Sequence, residues 1–334
     1  MILLPPIVYE IATLAVFFCI YNVMTWGLNI QFGAAGILNF TYITFMAIGA
    51  YVAAVVSLPP QTPGTGVTYV LGLNWPFPLP VIMGGLAAGA LGLAVGLVAL
   101  KRLRSDYLAI VTLAVGSIIY TFVGNYTQLF SGWDGVVGVP EPINNWINLD
   151  LNTYEIFYVA VVLAVMLVAW FFTHRLFASP LGRTMRAVRE DSDVAEAFGK
   201  NTFRVRMLAM VLGCAYAGVA GALLVGYTGA FSPDGWTVGE TFVIWAVLLV
   251  GGRGNIVGTM LGCFLIVVVF VEGTRFLPTG FLDPNLVATL RNMIIGGLLI
   301  LTLRFRPEGL LPEPRRHFTE IRKQSPTAES ARVS

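Results

Sequence analysis

Charged residues are scarce in this sequence of 334 residues: Asp, Glu, Lys and Arg make up only 11% of it, whereas hydrophobic residues make up 57%. Soluble domains carry about 25% charged and about 45–50% apolar residues. An ordinary water-soluble protein is therefore excluded, and the mean hydropathy of +0.78 requires lipid around most of the surface. The net charge of +2 and the lack of a basic face interleaved with aromatics also exclude nucleic acid as an expected partner.

Cysteine and histidine are equally rare. Cys19, Cys214 and Cys263 lie far apart in apolar stretches, and the two histidines, His174 and His317, do not cluster with them. A zinc site needs such ligands at short spacing. We therefore expect no metal site and interpret the cysteines as small buried hydrophobic residues.

Long apolar runs dominate what remains. Eight of them come close to the ~20 residues that an α-helix needs to cross the hydrocarbon core: 7–28, 36–57, 79–100, 107–124, 154–174, 207–229, 255–271 and 287–303. No Lys or Arg precedes the first run, which we interpret as a retained membrane segment rather than a signal peptide. The sequence predicts an all-α membrane protein, a polytopic bundle of about 8–10 transmembrane helices. Small residues at four-residue spacing, as at Gly84, Ala88 and Gly92, predict close helix packing.

Two apolar stretches are interrupted. The run 241–250 is too short to span alone and ends in Gly251-Gly252-Arg253-Gly254, and the segment 29–40 combines Gly33 and Gly36 with Asn39. Irregular backbone at membrane depth is tolerated where protein or a water-lined path satisfies its polar groups. We therefore expect two broken helices in the interior of the bundle.

The basic residues indicate the orientation of the chain. Seventeen of the twenty Lys and Arg residues lie in the segments 101–104, 175–206 and 304–332, which the positive-inside rule assigns to the cytoplasm. The connection 125–153 has no Lys or Arg and contains three acidic residues, so it belongs on the opposite side.

The segment 175–206 carries charge between two long apolar runs. Ser179 and Pro180 predict the start of a helix, and Gly199 predicts its end. Apolar residues fall on one side and charged residues on the other: Leu181, Met185, Val188, Ala195 and Phe198 against Arg183, Arg186, Arg189, Glu190 and Asp193. This pattern predicts one amphipathic helix, or two short ones, outside the bilayer. Its apolar stripe fits the inner helix ends, the membrane interface or a cytoplasmic protein; a solvated connector is the alternative.

Short motifs follow one another over roughly residues 25–312. They are Ile48-Gly49-Ala50-Tyr51, Leu103-Arg104-Ser105-Asp106-Tyr107-Leu108, Ser179-Pro180-Leu181-Gly182-Arg183, Arg186-Ala187-Val188-Arg189-Glu190, Ala195-Glu196-Ala197-Phe198-Gly199, Gly218-Val219-Ala220-Gly221, Gly251-Gly252-Arg253-Gly254 and Phe305-Arg306-Pro307-Glu308-Gly309-Leu310-Leu311. In this order and at this spacing, the sequence resembles the permease subunits of ABC importers for branched-chain amino acids.

The resemblance implies a transport subunit of the cell inner membrane and not an enzyme. It implies a second homologous permease subunit, two ATP-binding cassette subunits, an extracytoplasmic substrate-binding protein and a hydrophobic amino acid as substrate. ATP would be bound by the partner subunits, and no cofactor is expected in this chain, which lacks a Gly-x-x-x-x-Gly-Lys-[Ser/Thr] phosphate loop. The expected organisation is a permease domain over 1–312, with a cytoplasmic coupling segment at about 175–206, and a mobile cytoplasmic tail over 313–334.

The candidate functional residues fall into two groups. Seven are implied by the resemblance to couple the permease to an ATPase subunit: Arg189, Glu190, Ala195, Glu196, Ala197, Phe198 and Gly199. Five at the two breaks are candidates for the translocation path, with helix packing as their alternative role: Asn39, Thr41, Gly251, Gly252 and Gly254.

Three other interpretations stay open at this point. The same machine could carry urea or short amides. A secondary transporter without ATPase partners would show a repeat with matched broken helices or buried ion-coupling carboxylates, whereas intramembrane charge here is limited to a few positions such as Glu10, Glu272 and Arg291. An accessory subunit of another membrane complex would not need the cytoplasmic helix. Copurification of an ATPase would separate the last two interpretations from the importer.

Overall fold

The structure is a computed structural model and describes residues 6–61, 68–101, 105–143, 151–273 and 284–313. Twelve α-helices account for most of these residues: α1 (Pro6–Leu28), α2 (Tyr42–Ser57), α3 (Leu79–Ala99), α4 (Ser105–Asn125), α5 (Thr127–Phe130), α6 (Leu151–Ala178), α7 (Pro180–Glu190), α8 (Ser192–Ala197), α9 (Thr202–Thr228), α10 (Val238–Gly251), α11 (Ile256–Cys263) and α12 (Pro284–Phe305). Two-residue strands β1 (Val136–Val137) and β2 (Ala230–Phe231) pair antiparallel. The fold is all-α and polytopic, as the apolar runs predict.

Six helical stretches in the described residues are long and apolar enough to cross a membrane: Val8–Ala34, Leu79–Ala99, Tyr107–Asn125, Thr153–Ala178, Thr202–Thr228 and Pro233–Gly251. Two shorter apolar helices, Tyr42–Ser57 and Ile256–Glu272, match two further predicted runs, and α12 covers the run 287–303. The stretch that ends at Gly251 reaches 19 residues because a 3₁₀ turn, Pro233–Trp236, precedes α10. The prediction that the run 241–250 is too short to span is therefore corrected, although the break that follows it is present.

The centre of the bundle is formed by α9, α2 and α3, which glycines bring into backbone contact. A Cβ atom on Gly84 would lie 2.7 Å from the carbonyl oxygen of Gly49, and one on Gly92 would lie 2.7 Å from the Cys214 sulfur. A Cβ on Gly49 would overlap the backbone of Gly218. No side chain fits between these helices, so the small-residue spacing serves close helix packing. All three cysteines are buried and free.

Both predicted breaks are present. A π-helical turn, Asn29–Ala34, continues α1, and the next helix begins only at Tyr42. The predicted run 36–57 therefore starts too early, because residues 35–41 are not helical. At the second break, α10 ends at Gly251 and α11 begins at Ile256. Gly252 has a φ of +120° between them, a conformation that side chains with a Cβ rarely adopt.

The segment after α6 forms two short helices, one of the two predicted forms. The Ser179 hydroxyl oxygen accepts the Gly182 N–H and caps α7, while the Asp191 side chain caps α8. Gly199, with a φ of +74°, ends α8. Phe198 is 79% exposed and so lies off the buried stripe that the spacing predicts. The reason is that Asp191 is extended and interrupts the helical phase between α7 and α8.

Candidate functional site: two helix breaks beneath an amphipathic helix

The first break contains buried polar side chains. Asn29, Gln31 and Asn39 are fully buried, and Thr41 is nearly so. Burying such groups is costly unless they are hydrogen-bonded. The Asn39 amide donates to Gln31 Oε1 at 3.1 Å, and the Gln31 amide donates to the carbonyl of Met210 at 3.0 Å. These two bonds tie the non-helical segment to α9.

The other sides of the segment are held by α4 and α10. Asn39 Oδ1 accepts the backbone N–H of Thr41 at 3.1 Å, and the Asn39 carbonyl accepts the Trp245 indole N–H, also at 3.1 Å. The Thr41 hydroxyl donates to the carbonyl of Thr112. A non-helical segment inside a membrane protein needs such partners, because its backbone does not form the continuous hydrogen-bond ladder of a helix. Asn39 and Thr41 therefore have a packing role in this conformation.

The two breaks contact each other directly. Asn29 Oδ1 accepts the backbone N–H of Gly254 at 2.8 Å. A Cβ on Gly33 would lie 2.8 Å from the same nitrogen, so Gly33 has to lack one for the breaks to approach. Gly251, Gly252 and Gly254 are all buried at this contact. The path candidates of the two breaks therefore lie within one group of contacting residues.

A C-terminal segment, residues 310–313, covers the second break. The N–H groups of Leu310 and Leu311 donate to the carbonyls of Val250 and Gly251 at 2.8 and 3.1 Å. The Asn255 amide donates to the carbonyl of Pro312 at 3.1 Å. The last carbonyls of a helix have no partner within the helix, so residues 310–313 complete the hydrogen bonding of α10. Of the tail predicted over 313–334, only Glu313 belongs to the described residues.

Two of the three α7 arginines, Arg186 and Arg189, turn toward the permease, whereas Arg183 is exposed. Arg189 donates to the carbonyl of Gly33 and forms an ion pair with Glu313, with Nη2 to Oε2 at 2.9 Å. Arg186 pairs with the other Glu313 oxygen at 3.4 Å and donates to the carbonyl of Phe177 at 3.1 Å. The charged side of the amphipathic pattern is therefore partly occupied within the permease. Arg189, a candidate for ATPase contact, has its guanidinium group on the permease side of α7.

The remaining coupling candidates lie in α8 and at its two ends, and most of them are at the protein surface. Ala195 is buried and anchors α8, whereas its neighbours in this group are exposed. The exposed ones are Glu190, Glu196, Ala197, Phe198 and Gly199. Val194 and Phe198 are 51% and 79% exposed and lie one helical turn apart. An apolar pair at the tip of a charged segment is the surface expected of a docking site.

An aromatic cluster that the sequence analysis missed lies beside the buried path candidates. Phe40 is half-buried, and its ring lies 5.1 Å from Trp245 and 5.9 Å from Phe242, centroid to centroid. Phe242 is 43% exposed. Along the segment, Gly36, Leu38 and Phe40 are more open than the intervening Ile37 and Asn39, so one face of it is accessible. This alternation of exposure is visible only in the structure, so the sequence offered no signal for it beyond the aromatic residues themselves.

Asn39→Ala is expected to lower the free energy of unfolding by about 1–3 kcal/mol, because it leaves the buried Gln31 oxygen without its donor. Thermal unfolding of the purified protein in detergent measures the change. Asn125→Ala is the control, since its amide bonds only to the Thr121 carbonyl one turn away on an exposed surface. An equal change in the two variants would contradict the role given to Asn39.

Within the described residues, no group of three or more His, Cys, Asp or Glu residues could hold a metal ion. The breaks and the α7–α8 segment offer hydrogen bonds, one ion-pair cluster and apolar surface. Those groups can bind a partner or a substrate, hold the helices in position and transmit movement between them.

Comparisons with known proteins agree on one family. The family model for the permease component of branched-chain amino acid transport systems matches residues 10–303. The permease protein LivM of Escherichia coli K12 is 32% identical over 326 residues, 92% of this chain and 70% of that protein. LivM of Methanocaldococcus jannaschii is 28% identical over 91% of this chain and 93% of its own length. LivH of Salmonella typhimurium is 28% identical over 88% of this chain and 92% of its own length.

No solved structure matches the chain significantly. The family model covers most of the sequence, including both helix breaks and the whole α7–α8 segment. The apolar helices make the chain a multi-pass membrane protein, and the family is one of transport permeases rather than enzymes. The chain therefore belongs to the family of permease components of branched-chain amino acid transport systems.

Proposed function

We propose that this chain is a permease subunit of an ATP-driven importer that carries branched-chain, hydrophobic amino acids across the cell inner membrane. The observation that carries the proposal is the contact between α7 and the two helix breaks through Arg189. A cytoplasmic helix that touches both interruptions of the membrane helices can transmit force to them. The named relatives, all branched-chain amino acid permease proteins, support the substrate class.

The energy has to come from partner chains, because this sequence has no phosphate loop. Two ATP-binding cassette subunits would dock on the α7–α8 segment, where Val194 and Phe198 form the exposed apolar tip. An extracytoplasmic binding protein would deliver the amino acid. The likeness to both LivM and LivH permeases supports pairing with a second, homologous permease subunit.

In this proposal the permease alternates between openings to the two sides of the membrane. Closure of the ATPase subunits moves α7 and α8, and the helices that begin and end at the breaks rearrange. The aromatic cluster of Phe40, Phe242 and buried Trp245, in which Phe40 and Phe242 are partly exposed, supplies the apolar wall of the passage. An apolar side chain moving past it needs no charged partner, in keeping with the scarcity of charge in the spans.

The test is ATP hydrolysis by the assembly, purified with its ATPase and permease partners and reconstituted in liposomes. The binding protein is added, and leucine, urea or ribose is supplied in turn. Stimulation by leucine alone is the expected result. Stimulation by urea instead would support an ATP-driven importer whose substrate is urea rather than an amino acid. The absence of any associated ATPase activity would overturn the proposal in favour of a secondary transporter.

Phe242→Ala is expected to lower the kcat/KM of leucine uptake about 5- to 10-fold, since it removes an apolar contact worth about 1 kcal/mol from the passage wall. Initial uptake rates in liposomes over a range of leucine concentrations measure the effect. Phe264→Ala is the matched control, because Phe264 is also half-exposed (53%) but lies on the second half of the broken helix pair. Unchanged uptake in Phe242→Ala would remove the aromatic cluster from the path.

A further inference from the structure

Glu313 joins three parts of the permease that lie far apart in the sequence. Its carboxylate pairs with Arg189 of α7 at 2.9 Å and with Arg186 of α7 at 3.4 Å. The backbone beside it, at Leu311 and Pro312, is bonded to the second break. One side chain thus connects the cytoplasmic helix to the end of α10.

The same arginine reaches the first break. Arg189 donates to the Gly33 carbonyl, and a Cβ on Gly36 would lie 3.0 Å from the Arg189 Cγ atom. Glu313 also lies against the second break, because a Cβ on Gly254 would be 2.9 Å from its carboxylate carbon. The glycines at both breaks therefore make room for this ion pair.

The cluster is shielded from water. Arg189 and Glu313 have only 18% and 23% of their side-chain surface exposed. Removing one partner from a partly buried ion pair leaves the other charge without compensation, which costs far more than losing an exposed pair. Glu190, which also approaches Arg189 at 3.6 Å, is 75% exposed and is a weaker partner.

We propose that Glu313 is a positioning residue of the coupling machinery, which holds α7 against both helix breaks so that displacement of α7 moves them together. This inference rests on the proposed function, in which the ATPase subunits displace α7 and the helices at the two breaks move in response. Coupling between distant sites can be carried by a chain of packed side chains and ion pairs. The contacts here run from α7 through Arg189 and Glu313 to Gly33 and to residues 310–312, with no gap along the way.

The test uses the complete importer in liposomes with Glu313→Gln in this chain, and it records leucine uptake and ATP hydrolysis in the same vesicles. We expect uptake to fall at least 10-fold while ATP hydrolysis stays within about 2-fold, so that transport per ATP falls. Glu313→Asp, which keeps the charge, should retain more of the transport per ATP. Asp134→Asn is the control, because Asp134 is an exposed acidic residue in the predicted extracytoplasmic connection.

A second variant separates the ion pair from general stability. Arg186→Cys and Glu313→Cys are combined in this chain, and the two thiols are joined by a flexible bifunctional reagent; the chain's three native cysteines are buried. Transport per ATP should be low in the uncross-linked protein and rise several-fold after cross-linking. A parallel loss of uptake and ATP hydrolysis in Glu313→Gln, or no loss at all, would overturn the inference alone. An unsubstituted importer without ATP hydrolysis would instead overturn the proposed function.

Discussion

Phe198→Ala is expected to reduce ATP-driven leucine uptake about 30-fold and to leave the permease folded and inserted. Phe198 is 79% exposed at the end of α8, so its removal costs the isolated subunit almost no packing. An aromatic residue at the centre of an interface typically contributes about 2 kcal/mol or more to binding, and about 1.4 kcal/mol corresponds to a factor of ten. The loss therefore has to come from the missing partner contact.

Phe305→Ala is the matched control for Phe198. Phe305 is 75% exposed at the end of α12, in one of the segments that the basic residues assign to the cytoplasm. Uptake in liposomes and retention of the ATPase subunits during purification are both measured. Equal results for the two variants would show that α8 is not the docking site.

Gly199→Glu gives an independent check on the same surface. A Cβ at Gly199 has no neighbour within 4 Å, so the new carboxylate would project from the tip of α8. The φ of +74° adds some backbone strain at the end of a short helix, and a Gly199→Ala variant measures that part separately. Normal uptake in Gly199→Glu would contradict the docking assignment.

Gly218→Val is expected to abolish recovery of folded permease. A Cβ at this position would collide with the backbone of Gly84 on α3 and with the Ala88 methyl group. Overpacked cores lose about 1–3 kcal/mol even when side chains can shift, and backbone atoms shift far less readily. Because α2, α3 and α9 all contact one another at this point, the three helices would have to separate.

The control for the glycine variant lies in α12. A Cβ on Gly296 or Gly297 would meet nothing within 4 Å, so Gly296→Val carries no collision, and valine is a somewhat better helix former than glycine. Size-exclusion chromatography in detergent and the yield of membrane-inserted protein measure both variants. Recovery of monodisperse Gly218→Val protein at the control level would show that the helices are not held in backbone contact.

Much of the architecture follows from local features of the sequence. Apolar runs determine where the helices lie, glycine clusters determine where they break, and the Ser179-Pro180 pair determines where α7 begins. These features report on neighbours a few residues away, which is the range over which helical periodicity operates. The predicted start of α2 was wrong because the apolar run from 36 includes residues that are not helical. Their hydrogen bonds go to distant partners such as Trp245, which short-range periodicity does not report.

The site depended more on tertiary structure. Asn39 and Thr41 were selected from their place in the first break, but their burial and their bonds to Gln31 and Thr112 are tertiary facts. The aromatic cluster at Phe242, which we propose as a wall of the passage, was also missed by the sequence analysis, because an exposed phenylalanine in a membrane helix is expected to face lipid. Helix periodicity does not distinguish a side chain that faces lipid from one that faces a passage.

By itself, the sequence determined that this protein lies in a membrane and where its apolar helices and two helix breaks fall; that the segment 175–206 is cytoplasmic stays a prediction from the basic residues. Composition and short-range periodicity decide these properties. Only the tertiary structure decided that the breaks meet and that α7 is tied to them, through bonds between residues 225 and 124 positions apart, Asn29 with Gly254 and Arg189 with Glu313. Such contacts form because buried polar groups must find partners wherever the packed helices bring them, and no local pattern records which partner that will be.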